Sequence, residues 1–131
     1  MKIKMVFVLL NLVSFTPWTN SEAERSKTNE PAISCYESQN ALKISPESCE
    51  TALQVIRDPN ERALILSNLA IIQAKLGQMP GAQISITEAL KLAPRNPSIY
   101  INLGNLRIRQ KLFKEAIDAF DLASQLGARR E

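Results

Sequence analysis

From residue 31 onward the apolar positions recur at helical spacing, and long alternating apolar runs are absent. The pattern predicts six helices, over 32–43, 46–57, 59–76, 80–92, 97–110 and 114–126, and no sheet. Punctuation agrees with periodicity. Pro31, Pro46, Pro59, Pro80 and Pro97 each stand just before or at the start of a helical stretch, where the amide that proline lacks would be unpaired anyway. Ser45 and Asn96 precede two of these prolines as capping side chains. Asp58-Pro59-Asn60-Glu61 has the spacing of a capping box. Pro94 follows the helix ending near Leu92, and Gly77 closes another. Connections of a few residues force successive helices antiparallel. The fold class predicted is all-α.

Residues 1–23 follow a different pattern. Lys2 and Lys4 precede an apolar run from Met5 to Phe15 that only Asn11 interrupts. Thr16-Pro17-Trp18 then breaks the run, and Ser21 and Ala23 supply small residues at the positions a signal peptidase reads. Residues 1–23 are therefore read as a signal peptide cleaved after Ala23, with Ser21 as the alternative. A membrane anchor would need ~20 apolar residues. Residues 24–30 are polar and unpatterned, a flexible lead-in.

Sliding the chain along itself until residue 97 falls on residue 63 aligns 63–96 with 97–130 without a gap. Identities fall at Ile65/Ile99, Asn68/Asn102, Leu69/Leu103, Ala82/Ala116, Ala89/Ala123, Leu92/Leu126 and Arg95/Arg129. Tyr100, Leu103-Gly104, Ala116 and Phe120 in the second copy, and Leu66, Leu69-Ala70, Ala82, Ile86 and Pro94 in the first, follow a known helix–turn–helix pattern. On these residues the chain resembles the tetratricopeptide repeat family. Both copies depart from the family at one aromatic slot, which holds Gln73 and Arg107. The resemblance implies a short right-handed solenoid of stacked hairpins over 31–131, with 31–62 as a degenerate first hairpin. In each copy Gly104 or Ala70 would let Ala116 or Ala82 approach closely.

Cys35 and Cys49 fall in the first and second predicted helices. The close-approach pairs of the two repeats, Ala70–Ala82 and Gly104–Ala116, lie two positions closer in sequence than the cysteines do. A correspondingly longer turn would bring the cysteines to the equivalent point. A disulfide needs such a point, and export makes it chemically reasonable. The alternative is a redox-active pair, but reactive dithiols favour a Cys-x-x-Cys spacing.

The family resemblance implies a concave groove, lined by the first helix of each hairpin, that holds a peptide or a partner helix. Asn68, Ile71 and Lys75 share one helix face, and Asn102, Asn105 and Arg109 repeat that spacing in the second copy. Amides and cations there suit a peptide backbone and acidic groups. The competing reading is that Asn68 and Asn102 bond neighbouring helices. One subset of the family grips a terminal carboxylate through basic residues. Here Ser67 and Ile101 stand in the basic slot, so that specificity is not implied.

Composition narrows the chemistry further. The 131 residues contain no histidine, which removes Ser-His-Asp and Cys-His catalysis and His-ligated zinc. Two cysteines alone cannot complete a tetrahedral metal site. Four glycines leave no glycine-rich phosphate loop, and aromatics at 5% leave no stacking platform for nucleic acid. A formal charge of +3 is too small to imply nucleic acid. The expectation is a non-enzymatic interaction module or adaptor binding a protein or peptide, with no cofactor, metal, nucleic acid or small-molecule substrate. The signal and the family together point to the periplasm of a bacterial envelope. Two rival expectations are an assembly subunit that self-associates through its last repeat, where Ile99, Leu106, Ile117 and Leu122 would be partly exposed, and a thiol oxidoreductase.

Overall fold

A computed structural model of the chain describes residues 30–39, 41 and 44–128. The signal peptide, nearly all of the lead-in, and Arg129 with the two residues after it lie outside the described residues. Helix α1 covers residues 30–38, followed by α2 (Glu47–Val55), α3 (Pro59–Lys75), α4 (Met79–Leu92), α5 (Pro97–Arg109) and α6 (Phe113–Ala128). The fold is all-α, with no strand among the described residues.

Local sequence explains the starts of α3 and α5. Asp58 Oδ1 accepts from the Glu61 amide at 2.9 Å, and Asn96 Oδ1 accepts from the Ser98 amide at 3.0 Å. Each such cap is worth about 1 kcal/mol. Pro59 and Pro97 occupy the first position of α3 and α5. Helix α1 departs from expectation. It is already helical at Glu30, and it ends at residue 38 rather than 43. The Lys75 ammonium donates to the Gln39 carbonyl, the acceptor that one further turn of helix would require.

The sequence repeat is also a repeat of the backbone. In the turn joining α3 to α4, the Gly77 amide donates to Ala74 O at 3.1 Å and the Gln78 amide to Gln73 O at 2.8 Å. In the turn joining α5 to α6, the Lys111 amide donates to Ile108 O and the Leu112 amide to Arg107 O, both at 2.9 Å. Each bond of the first turn thus recurs at the equivalent position of the second. The i→i−5 bond with a positive-φ residue before its donor is the Schellman ending of a helix. Gly77 (φ 79°) and Lys111 (φ 62°) supply that conformation.

Helix α3 packs against α2, α4 and α5, α4 also meets α5, and α5 packs against α6. One core cluster joins Leu66, Ala70 and Ile71 of α3 to Ala82, Ile86 and Ala89 of α4 and to Ile99 and Leu106 of α5. A second joins Cys35, Cys49, Ala52 and Ile56 to Ile65, Leu69 and Ile72 on another face of α3. Ile99 and Leu106, expected to be partly exposed, are fully buried, because α5 seats them in the seam it forms with α3 and α4. Ile117 and Leu122 are exposed as expected.

Gly104 lies against the ring of a residue on α6. Its nearest neighbours are ring atoms of Phe120, which a Cβ added there would meet at 2.6 Å. The missing side chain admits the Phe120 ring.

Candidate functional site: a groove along α1, α3 and α5

The first hairpin is closed covalently. Cys35 and Cys49 form a disulfide with their Cα atoms 4.5 Å apart, both fully buried. Cys35 Sγ rests 3.9 Å from Ile65 O, so the bridge packs against α3. Beside it the Ser34 and Ser48 hydroxyls bond at 3.1 Å, and the Ser38 hydroxyl donates to Ser34 O at 2.7 Å. Arg62 of α3 donates through Nη1 to the carbonyls of Leu53 and Ile56 at 2.6 and 2.8 Å. These carbonyls close α2, so one guanidinium ties the stapled hairpin to the first repeat.

With α1 held this way, side chains from α1, α3 and α5 line a groove in two stretches. The wider one, about 760 Å³, has Ala32, Ile33 and Tyr36 on one wall, Glu61, Leu64 and Asn68 on its floor, and Ser98, Ile101 and Asn102 opposite. The narrower, about 480 Å³, is bounded by Ile71 and Lys75 of α3 and by Asn105, Ile108 and Arg109 of α5. Gln39 borders both. Its Nε2 is buried and has no hydrogen-bond partner among the described residues, which leaves a donor in want of an acceptor.

The six residues that sequence singled out therefore border this groove, with different freedom. Asn102 Nδ2 donates to Asn68 Oδ1 at 3.2 Å and to Ser67 Oγ at 3.1 Å. These two asparagines bond α5 to α3, as the competing reading expects. Ile71 is buried in the core and offers the groove an edge. Lys75 is committed to the Gln39 carbonyl. Asn105 and Arg109 are exposed. The groove is thus apolar at the Ile33–Tyr36–Leu64–Ile101 stretch and amide-rich and cationic at the Asn105–Arg109 stretch.

Sequence reasoning missed the apolar half, although a signal existed. Extending the Asn68–Ile71–Lys75 stripe one turn back reaches Leu64, and the same step from Asn102 reaches Ser98. Aligning Cys35 with Ala70 sets Ile33 against Asn68 and Tyr36 against Ile71.

Gln73 and Arg107 also acquire partners. Ser85 Oγ donates to Gln73 Oε1 at 2.8 Å, joining α4 to α3. Arg107 Nη1 donates to Gln83 Oε1 at 2.7 Å and to Gln110 Oε1 at 2.6 Å, joining α5 to α4. Gln73 and Arg107 thus form polar clasps across helices.

The described residues hold no cluster of three or more metal-binding side chains, and no described helix is long and apolar enough to cross a membrane. No protein-family model, curated protein or solved structure matches the chain.

Proposed function

We propose that the chain is a non-enzymatic interaction module of the tetratricopeptide-repeat kind, a right-handed stack of three hairpins that takes a peptide segment of a partner protein in the groove along α1, α3 and α5. The observation that carries this reading is the exposure of Ile33, Tyr36, Leu64 and Ile101 along one wall-and-floor stretch of that groove. Four large apolar side chains left open to solvent in a concave stretch favour an apolar ligand face. Asn105 and Arg109, both exposed, supply donors for a peptide's carbonyls and acidic side chains. Support for the family comes from the recurrence of the turn bonds in both repeats and from the way α5 meets both α3 and α4. The signal-like N-terminus and the buried disulfide support export to an oxidising compartment, which in a bacterial envelope is the periplasm.

Peptides selected from a display library against the oxidised chain test the reading. Leu64→Glu and Tyr36→Ala should each weaken selected peptides by about tenfold or more. Ile84→Glu, on the exposed side of α4 away from the groove, should leave them unchanged. Selected peptides indifferent to Leu64 and Tyr36 would remove the groove from consideration.

A further inference from the structure

Comparing the two repeats position by position isolates a surface that shares its α5 edge with the groove and extends beyond it onto α6. In the first repeat α5 covers Ser67 and Gln83, and it does so through hydrogen bonds, from Asn102 to Ser67 and from Arg107 to Gln83. Ala74 and Met79 pack into the same seam, against the cluster that holds Ile99 and Leu106. In the second repeat the positions of Ser67, Gln83, Ala74 and Met79 are taken by Ile101, Ile117, Ile108 and Phe113. No described element covers these four, and they are 47%, 61%, 45% and 61% exposed. Every exchange enlarges the apolar surface: serine, glutamine and alanine become isoleucine, and methionine becomes phenylalanine. The second repeat thus presents the docking seam of the first with its hydrogen-bonding partners removed and hydrocarbon in their place.

We infer that this outer face of α5 and α6 binds the same face of a second copy of the chain, making a two-fold dimer. The face is continuous in kind with the seam that α3 and α4 already offer to α5. It no longer suits a helix of the α5 type, whose Asn and Arg would find neither the serine nor the glutamine they bond. An apolar patch of two hairpin helices is complementary to itself, and a self-complementary patch closes as an isologous pair rather than propagating. The flanking charge fits as well. Lys114 and Asp121 are exposed on the Ile117 side of α6. Antiparallel pairing of two α6 helices about an axis near Ile117 sets Lys114 of each copy beside Asp121 of the other, twice over by symmetry. Ile101 and Ile108 also border the peptide groove, whereas Phe113, Lys114, Ile117 and Asp121 of α6 do not, so variants on α6 test the dimer apart from the groove.

Sedimentation of the exported, oxidised chain across a concentration series up to about 100 µM is the test. A monomer–dimer equilibrium is expected. Ile117→Lys, a change at an exposed position that should leave the melting temperature within a few degrees, should weaken association about 30-fold or more. Lys114→Glu should weaken it several-fold, and Lys114→Glu with Asp121→Lys should restore it. A strict monomer throughout the series overturns the inference. So does a dimer whose strength Ile117→Lys does not change.

Discussion

Lys111 occupies the turn position that Gly77 holds one repeat earlier, with nearly the same left-handed backbone, φ 62° against 79°. The surrounding bonds match as well, since each residue donates its amide three residues back. Only one of the two lacks the Cβ that makes this region costly.

Exchange at this pair should therefore be asymmetric. Lys111→Gly is expected to stabilise the fold by about 1 kcal/mol, because it relieves the strained turn without removing any described contact. Gly77→Ala is expected to cost about 1 kcal/mol. No atom lies within 4 Å of the added Cβ, so the cost is one of conformation alone. Urea denaturation of both variants at constant m-value measures the difference.

Opening the disulfide should destabilise the first hairpin before anything else. A loop of this length contributes ~3 kcal/mol in the chain-entropy model. Cys35→Ser/Cys49→Ser should lower stability by about that amount, and the native chain should show no alkylatable thiol until it is reduced. Two free thiols in native protein would remove the staple. A double variant of undiminished stability would assign the pair a role other than clasping.

At Gly104 the expected effect is steric. A Cβ would meet the Phe120 ring at 2.6 Å, so Gly104→Ala should cost about 1–3 kcal/mol despite alanine's better helix propensity. Gly104→Ala with Phe120→Leu should recover part of the loss, since the smaller side chain yields the space. Thermal melts of the two single variants and the double variant give the coupling.

Asn102→Ala removes the bonds to Ser67 and Asn68 between α5 and α3. A loss of about 1–2 kcal/mol is expected in denaturant, with the helix content of the folded state retained by circular dichroism. Arg109→Ala, at an exposed position with no described hydrogen bond, should leave stability within about 0.5 kcal/mol.

What could be read from sequence follows the range of the interactions involved. Helix starts were legible because Asp58 and Asn96 act on amides two or three residues away. The cysteine pairing was legible because helical geometry relates two positions across one turn. The early end of α1 was not, because the lysine that takes the carbonyl just beyond it belongs to the far end of α3. Nor was the burial of Ile99 and Leu106. Position in the last predicted hairpin suggested an open end, but that end lies on the other side of α5, at Ile101 and Ile108. For the groove, the repeated amides and cations stood out against apolar neighbours. The apolar half looked like ordinary helix packing and gained meaning only once α1 was seated beside α3.

The clasp between Cys35 and Cys49 spans a short stretch of chain and requires nothing beyond the first two helices. A chain that emerges from its N-terminus can close this loop before residue 63 has appeared. The oxidised hairpin then presents Ala52 and Ile56 as a ready surface on which Ile65, Leu69 and Ile72 of α3 condense. Each later helix packs on its neighbours along the chain. A chain that fails to oxidise therefore lacks the covalent tie beneath the surface on which α3 packs.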